Sequence, residues 1–318
     1  MPDIIYILPA DSGPVGGVKV QLQHVRMLRQ AGFSAEAYAL ANFHDWYDAG
    51  FPVTIFGQQT HWIRPGSIVV FPETELPRLK QTADWPDIWR IIFCQNHYLA
   101  NSGGLARRDR YGIHGVFSCS AIISTYLEAH FGLGHVPVVP NAIDRGVFGA
   151  AGTKRPGSIA YMPRKYSNAV GWLRDNVPEA AAWNWLPLHN LSQTEVASEL
   201  GQAEVFLALS YREGFGLPPL EAMASDCIVA GFHGDGGREY ATSDNGFWHD
   251  EDDFIGVAGS LKRAVAVAGN RDAEWAQMIQ AGRRTADAYS MSAMNTVLID
   301  YWRRQITALG CSVADYMA

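Results

Sequence analysis

Two glutamates eight residues apart, Glu213 and Glu221, bracket the run Gly214-Phe215-Gly216-Leu217-Pro218-Pro219-Leu220. The apolar stretch Val205–Leu209 before them has the composition of a buried strand, and a proline just past Gly216 suits the first turn of a helix. A strand-to-helix turn of this kind leaves unpaired backbone N–H groups near Gly216 and Leu217, where the helix dipole favours an anion such as phosphate. Glu213 and Glu221 are placed to accept hydrogen bonds from hydroxyls. The bland alternative is a glycine-rich turn with a solvated glutamate at a helix start, which a bare Gly-x-Gly would favour.

Three further groups could contribute chemistry. Met162-Pro163-Arg164-Lys165 follows the strand-like Ser158–Met162 and offers two cations to a charged leaving group, or else is a solvated loop. His97, in Phe93-Cys94-Gln95-Asn96-His97-Tyr98, also follows an apolar strand, though one histidine among ten in a polar loop is as easily incidental. Gly13-Pro14-Val15-Gly16-Gly17 follows the first strand, as phosphate-binding glycine loops do. Its spacing is not G-x-G-x-x-G, and Tyr38-Ala39-Leu40-Ala41-Asn42 supplies no acid for a ribose, so a nicotinamide dinucleotide is disfavoured and a glycine loop bordering the interdomain cleft is the better account. The run His249-Asp250-Glu251-Asp252-Asp253 suggests a metal but precedes a helix starting near Phe254, where acids cap and match the dipole. No metal site is expected there.

These residues need strands and helices to hold them. Short apolar runs alternate with helical patterns: strands at Ile4–Leu8, Ala35–Leu40, Ser67–Phe71, Arg90–Cys94, Gly115–Ser118 and Val136–Val139, and helices at Val18–Gln30 and Ala121–His130. After the turn-rich Ala150–Gly157 the alternation resumes with strands Ser158–Met162, Trp183–Pro187, Val205–Leu209 and Ile228–Gly231, interleaved with helices at Ser192–Leu200, Leu220–Ala224 and Phe254–Ala268. The expectation is an α/β chain of two Rossmann-like, doubly wound parallel-sheet domains facing across a cleft, with sites at the carboxyl ends of the strands. The boundaries drawn are 1–149, 150–291 and a final segment 292–318, whose helix at Ser292–Ala308 crosses back to the first domain.

Length and composition agree with two cores: 318 residues, of which 48% are hydrophobic. The net charge of −7, with Lys and Arg scattered apart from Arg107, Arg108 and Arg110, provides no broad basic face for nucleic acid. Cys94, Cys119, Cys227 and Cys311 are far apart and read as reduced thiols of a cytoplasmic protein. The chain starts Met-Pro-Asp and goes straight into Ile4, without the cationic start of a signal peptide, and no apolar run approaches the roughly 20 residues of a membrane span. This leaves room for peripheral membrane contact only.

Glu213 to Ala224 resembles the E-x7-E signature of retaining glycosyltransferases of the two-Rossmann (GT-B) fold, in the large family four, the glycosyl transferases group 1. Pro140-Asn141-Ala142-Ile143-Asp144 with Phe148 is similar to that family's P-N-G-I-D segment. Gly16-Gly17 resembles its first glycine loop, and Gly236-Gly237-Arg238-Glu239 with Asn245-Gly246 its later turns. The resemblance implies that Glu221 holds the ribose of a nucleotide-diphosphate sugar and Glu213 the transferred sugar. Gly214, Phe215, Gly216 and Leu217 would cradle sugar and diphosphate, with Gly16 and Gly17 bordering the donor. Arg164 matches the family's arginine, and His97 its histidine near the sugar. The family's lysine falls a few residues after the arginine, where this sequence has Ala169 and Val170, so Lys165 stands in a shifted position. The implied reaction retains anomeric configuration and needs no cofactor beyond the donor. The acceptor is a glycan, a lipid-linked glycan or a small molecule. The alternatives are a nucleotide-sugar epimerase or phosphorylase on the same fold, or a non-catalytic subunit that binds a nucleotide sugar.

Overall fold

The computed structural model describes residues 1–9, 16–39, 47–55, 63–100, 104–149 and 152–318. Gly13-Pro14-Val15 of the first glycine loop, Leu40 at the end of the expected second strand, and Ala150-Ala151 of the expected linker lie outside the described residues. The chain divides into two compact units, Met1–Asn141 with Ser292–Ala318, and Ala142–Met291.

The first unit holds strands β1 (Ile4–Ile7), β2 (Ala35–Ala39), β3 (Thr54–Ile55), β4 (Ile68–Pro72), β5 (Trp89–Cys94) and β6 (Ile113–Ser118), with helices α1 (Gly16–Gln30), α2 (Leu76–Thr82) and α3 (Ala121–Phe131). All strand pairs are parallel, in the order β3-β2-β1-β4-β5-β6, the doubly wound arrangement that the alternating pattern called for. Every residue of β1 and β4 is buried, as expected of strands covered on both faces. Val136–Val139 is not a strand; it contributes a single bridge, Val138 to Ser118. Pro137 and Pro140 lack the N–H a ladder needs; Val139 N donates to Ser118 O at 2.9 Å, whereas Val136 N turns away to Glu128 Oε1.

The carboxyl-terminal helix α10 (Met291–Ala308) packs into this first unit through Trp302, which is fully buried. Its Nε1 donates to the Tyr6 hydroxyl at 3.2 Å, and that oxygen meets His24 Nδ1 at 3.2 Å. Burial pushes the His24 imidazole down to about 3, so it is neutral. The last residues extend the same unit, with Ser34 N donating to Tyr316 O at 2.8 Å.

The second unit contains β7 (Ser158–Tyr161), α4 (Ser167–Asn176), α5 (Pro178–Ala181), β8 (Asn184–Pro187), α6 (Gln193–Gln202) and β9 (Val205–Leu209). It continues with α7 (Leu217–Ala224), β10 (Ile228–Phe232), β11 (Phe247–His249), α8 (Phe254–Asn270) and α9 (Ala273–Ala288). The parallel sheet runs β11-β10-β9-β7-β8, with Leu207, Ile228, Phe232, Val257 and Leu261 in its core. The division between units falls at Asn141/Ala142, ahead of the 149/150 boundary drawn from turn-forming composition. Ile143 and Phe148 are buried, and Ile143 N donates to Tyr289 O at 2.9 Å, which ties the Pro-Asn-Ala-Ile-Asp segment to the end of α9. Gly152–Gly157 is likewise fixed within this unit, because the Lys154 ammonium donates to the carbonyls of Ala203 and Ser225, each at 2.6 Å.

Candidate active site

In the second unit the chain leaves β7 toward β8 on one side, then returns to build β9, β10 and β11 on the other, so order reverses between β7 and β9. Crevices at the carboxyl ends of strands flanking such a reversal are where doubly wound sheets bind ligands. The loop after β7 carries Arg164 and Lys165, and the neighbouring loop after β9 carries Glu213 to Gly216. Sheet order alone therefore makes neighbours of residues that lie almost fifty positions apart.

Two contacts fix Lys165. Its ammonium is 2.5 Å from Glu213 Oε1 and donates to the Tyr211 carbonyl at 2.5 Å, while both charged side chains remain about a quarter exposed. Arg164 is exposed and forms no ion pair among the described residues. Lys165 thus orients a carboxylate, and Arg164 is the cation left over for an incoming anion.

Glu213 is also held through its backbone. Its N–H donates to Gly234 O at 3.2 Å, and its carbonyl accepts from Gly236 N at 3.0 Å, so the loops after β9 and β10 are bridged main chain to main chain. Gly236 permits this approach, since a Cβ there would stand 2.3 Å from the Gly214 carbonyl carbon. Gly216 caps α7 with φ +86°, and its carbonyl accepts from the buried Tyr240 hydroxyl at 2.5 Å. Pro218 and Pro219 remove two donors from the first turn, which leaves the amides of Gly216 and Leu217 as its free ones. Together with Phe215 N they donate to no group among the described residues. Glu221, one turn into α7, is 4% exposed, and Phe215 is buried against Tyr240 and Tyr289.

Each member of the acidic run after β11 has a partner. Asp253 caps α8 by accepting from Gly256 N at 2.9 Å. Asp252 accepts from the Tyr166 hydroxyl at 2.7 Å, Glu251 from Arg212 N at 2.5 Å, and Asp250 from Arg238 at 2.7 Å and His233 Nε2 at 2.9 Å. Among the described residues no group of three or more His, Cys, Asp or Glu is arranged to hold a metal ion.

Residues 185–284, from β8 through most of α9, match the family model described as glycosyl transferases group 1. The second unit carries a glycosyl transferases group 1 segment. An alpha-1,6-glucosyltransferase of Actinobacillus pleuropneumoniae serotype 7 (strain AP76) is 26% identical over 242 residues, covering 69% of each chain. Among solved structures, sucrose-phosphate synthase from Thermosynechococcus elongatus shares the fold at a TM-score of 0.72 and 13% identity, over 97% of this chain and 100% of that one. Anabaena HepE in complex with UDP and glucose does so at 0.70 and 12%, over 94% and 98%. The family resemblance read from Glu213 to Ala224 is borne out, as is the GT-B fold, and glycosyl transfer is the activity class these matches support.

The second unit brings together Arg164 and Lys165, in the loop after β7, with Glu213, Gly214, Phe215, Gly216, Leu217 and Glu221, between β9 and α7; the last six lie inside the matched segment. Gly16, Gly17 and His97 belong to the other. Gly16 and Gly17 open α1 after β1, and Gly17 O accepts from Gln95 Nε2 at 3.1 Å. His97 is buried, its ring 4.3 Å from Tyr98 and 5.1 Å from Tyr126. Sequence reading passed over His233 and Tyr240, and took Asp250 only as part of an acidic run at a helix start. A histidine directly after the apolar run Ile228–Phe232 was the available signal for the first, whereas Tyr240 and Asp250 act through contacts that spacing does not encode.

Proposed function

We propose that the chain transfers a sugar from a nucleoside-diphosphate sugar to an acceptor hydroxyl, with retention of anomeric configuration and without a metal ion. The observation that carries this is the convergence, at the β7/β9 reversal, of the Lys165–Glu213 pair, the unpaired Arg164 and the free amides of Gly216 and Leu217. The bond from the anomeric carbon to the phosphate oxygen breaks while the acceptor oxygen bonds to the same face, its proton passing to the departing phosphate. Charge grows on the diphosphate as that bond lengthens. Arg164 and the two amides stabilise it, and fixed donors of this kind act without reorganising. Glu213, oriented by Lys165, accepts hydrogen bonds from hydroxyls of the transferred sugar, and Glu221 accepts from the ribose. The described relatives, one named as a glucosyltransferase and one holding UDP and glucose, make UDP-glucose the first donor to test. The acceptor is a glycan, a lipid-linked glycan or a small molecule.

The test is nucleoside diphosphate release from a panel of UDP-, GDP- and ADP-sugars with and without EDTA, with the anomer of any transferred sugar read by proton NMR. Release that persists under EDTA, with the donor's configuration kept in the product, is expected. Activity abolished by chelation and restored by magnesium or manganese would remove the metal-free reading, and an inverted product the retaining one.

A further inference from the structure

A helix cap explains Asp253 but not the three acids before it. Asp250, Glu251 and Asp252 each bond to a different strand-end loop, and in the order in which the strands lie side by side. Asp250 holds the loop after β10 through His233 and Arg238, Glu251 the loop after β9 through Arg212 N, and Asp252 the loop after β7 through Tyr166. One residue per strand, the run steps across the carboxyl edge of the sheet.

A second observation concerns the same loops. Non-glycine residues with positive φ occur in each of them: Tyr166 at +50°, Arg212 at +49°, Asp235 at +56° and, in the run itself, Asp252 at +69°. Such backbone is unfavourable for tyrosine and arginine and persists only where surrounding contacts over-determine it. The acids supply those contacts at Tyr166 and Arg212, the residues flanking Lys165 and Glu213. Tyr166 is also set by packing against Tyr211, Phe232 and Phe254, at ring separations of 5.2, 5.5 and 5.2 Å.

We propose that Asp250, Glu251 and Asp252 are positioning residues of the donor site, a clasp that holds Lys165, Glu213 and the loop amides in binding geometry before any donor arrives. The proposal rests on the donor reading given above only for what the clasp serves. A charge role would have the opposite sign: three carboxylates beside a diphosphate repel it, so removing one should tighten binding. A positioning role predicts weaker binding when the hydrogen bond goes and recovery when the bond is kept without the charge.

The experiment uses the full chain. Asp252→Gly removes the acceptor at a position whose positive φ glycine tolerates, Asp252→Asn keeps a carbonyl oxygen for Tyr166, and Tyr166→Phe removes the hydroxyl. Glu251→Ala and Glu251→Gln make the same contrast at Arg212. Two readouts are taken: UDP affinity by calorimetry, and amide hydrogen exchange of residues 162–170 and 210–217 without ligand. Expected for Asp252→Gly, Tyr166→Phe and Glu251→Ala is UDP binding weaker by about two- to tenfold, the range of one hydrogen bond, and faster exchange in both segments. The Asp252→Gly, Tyr166→Phe double variant should lose no more than either alone, and Asn and Gln should restore most of the loss. Exchange unchanged in the Gly, Phe and Ala variants, or UDP binding equally tightened in Asp252→Gly and Asp252→Asn, would overturn the clasp. If the wild-type chain binds no UDP, the donor reading fails while exchange still decides the clasp.

Discussion

The Lys165–Glu213 contact decides how the site is charged. Because the ammonium is spent on a carboxylate at 2.5 Å, its chief contribution is to aim Glu213, and it lends less to a diphosphate than its proximity suggests. Lys165→Ala should therefore reduce donor turnover by about 10²-fold, the scale of losing one preorganised polar group, with a smaller change in UDP affinity. Steady-state rates alongside a UDP titration would check the split. Glu73, buried at the end of β4, is a separate case. Burial pushes its carboxyl up to about 7 despite backbone N–H groups, including that of Gln95, that favour the charged form. A raised acid binds its proton more tightly in the folded state, so the stability it contributes is full below its ordinary value of 4.5 and is lost as pH rises through about 7. The loss is about 3 kcal/mol at 1.36 kcal/mol per pH unit. Glu73→Gln should raise the melting temperature at pH 8 and leave it nearly unchanged at pH 5.

Elements were legible in proportion to the length and regularity of their patterns. The strands β1, β4, β9 and β10 are continuous apolar runs, β5 and β7 are apolar apart from Arg90 and Ser158, and α7 announces itself through its glycine, its prolines and the spacing of Glu213 and Glu221. Three-residue β11 and seven-residue α2 are too short to show a period, and Val136–Val139 looks like a strand until Pro137 within it and Pro140 after it are counted. Arg164, Lys165, Glu213 and Glu221 could be picked out because each follows or opens a readable element. The shifted lysine was legible as a departure, but its carboxylate partner was not, since that pairing depends on β7 lying beside β9. Gly236 belongs to this scale, because a Cβ there meets the Gly214–Phe215 peptide at 2.3 Å. Gly236→Ala should push the two loops apart, at about 1–3 kcal/mol of stability, and abolish UDP binding. Denaturant unfolding and calorimetry on one preparation would separate the two effects.

At the scale of the whole chain, the first unit is discontinuous: it is left at Asn141 and completed by Ser292–Ala318. Removing everything after Met291 takes away Trp302 and the Tyr316 bond to Ser34, so the first unit should lose stability while the β7-to-α9 sheet keeps its own core. Trp302→Ala alone should cost about 3–5 kcal/mol, as large aromatic deletions in cores do, visible in denaturant unfolding as a lowered transition for that unit.

The most direct test of a nucleoside-diphosphate sugar donor is calorimetric titration of UDP into the full chain and into Glu221→Ala and Arg164→Ala, paired with UDP-glucose turnover. A ribose contact acts equally in ground and transition states, whereas a contact to the leaving diphosphate strengthens as the bond breaks. Glu221→Ala should weaken UDP binding by about tenfold, near the lower end of the range for a hydrogen bond to a charged group, with turnover at saturation little changed. Arg164→Ala should lower turnover by more than it lowers affinity. A wild-type chain that binds neither UDP nor any other nucleoside diphosphate, or variants that fold normally and match it in both measurements, would contradict the assignment of the donor to these residues.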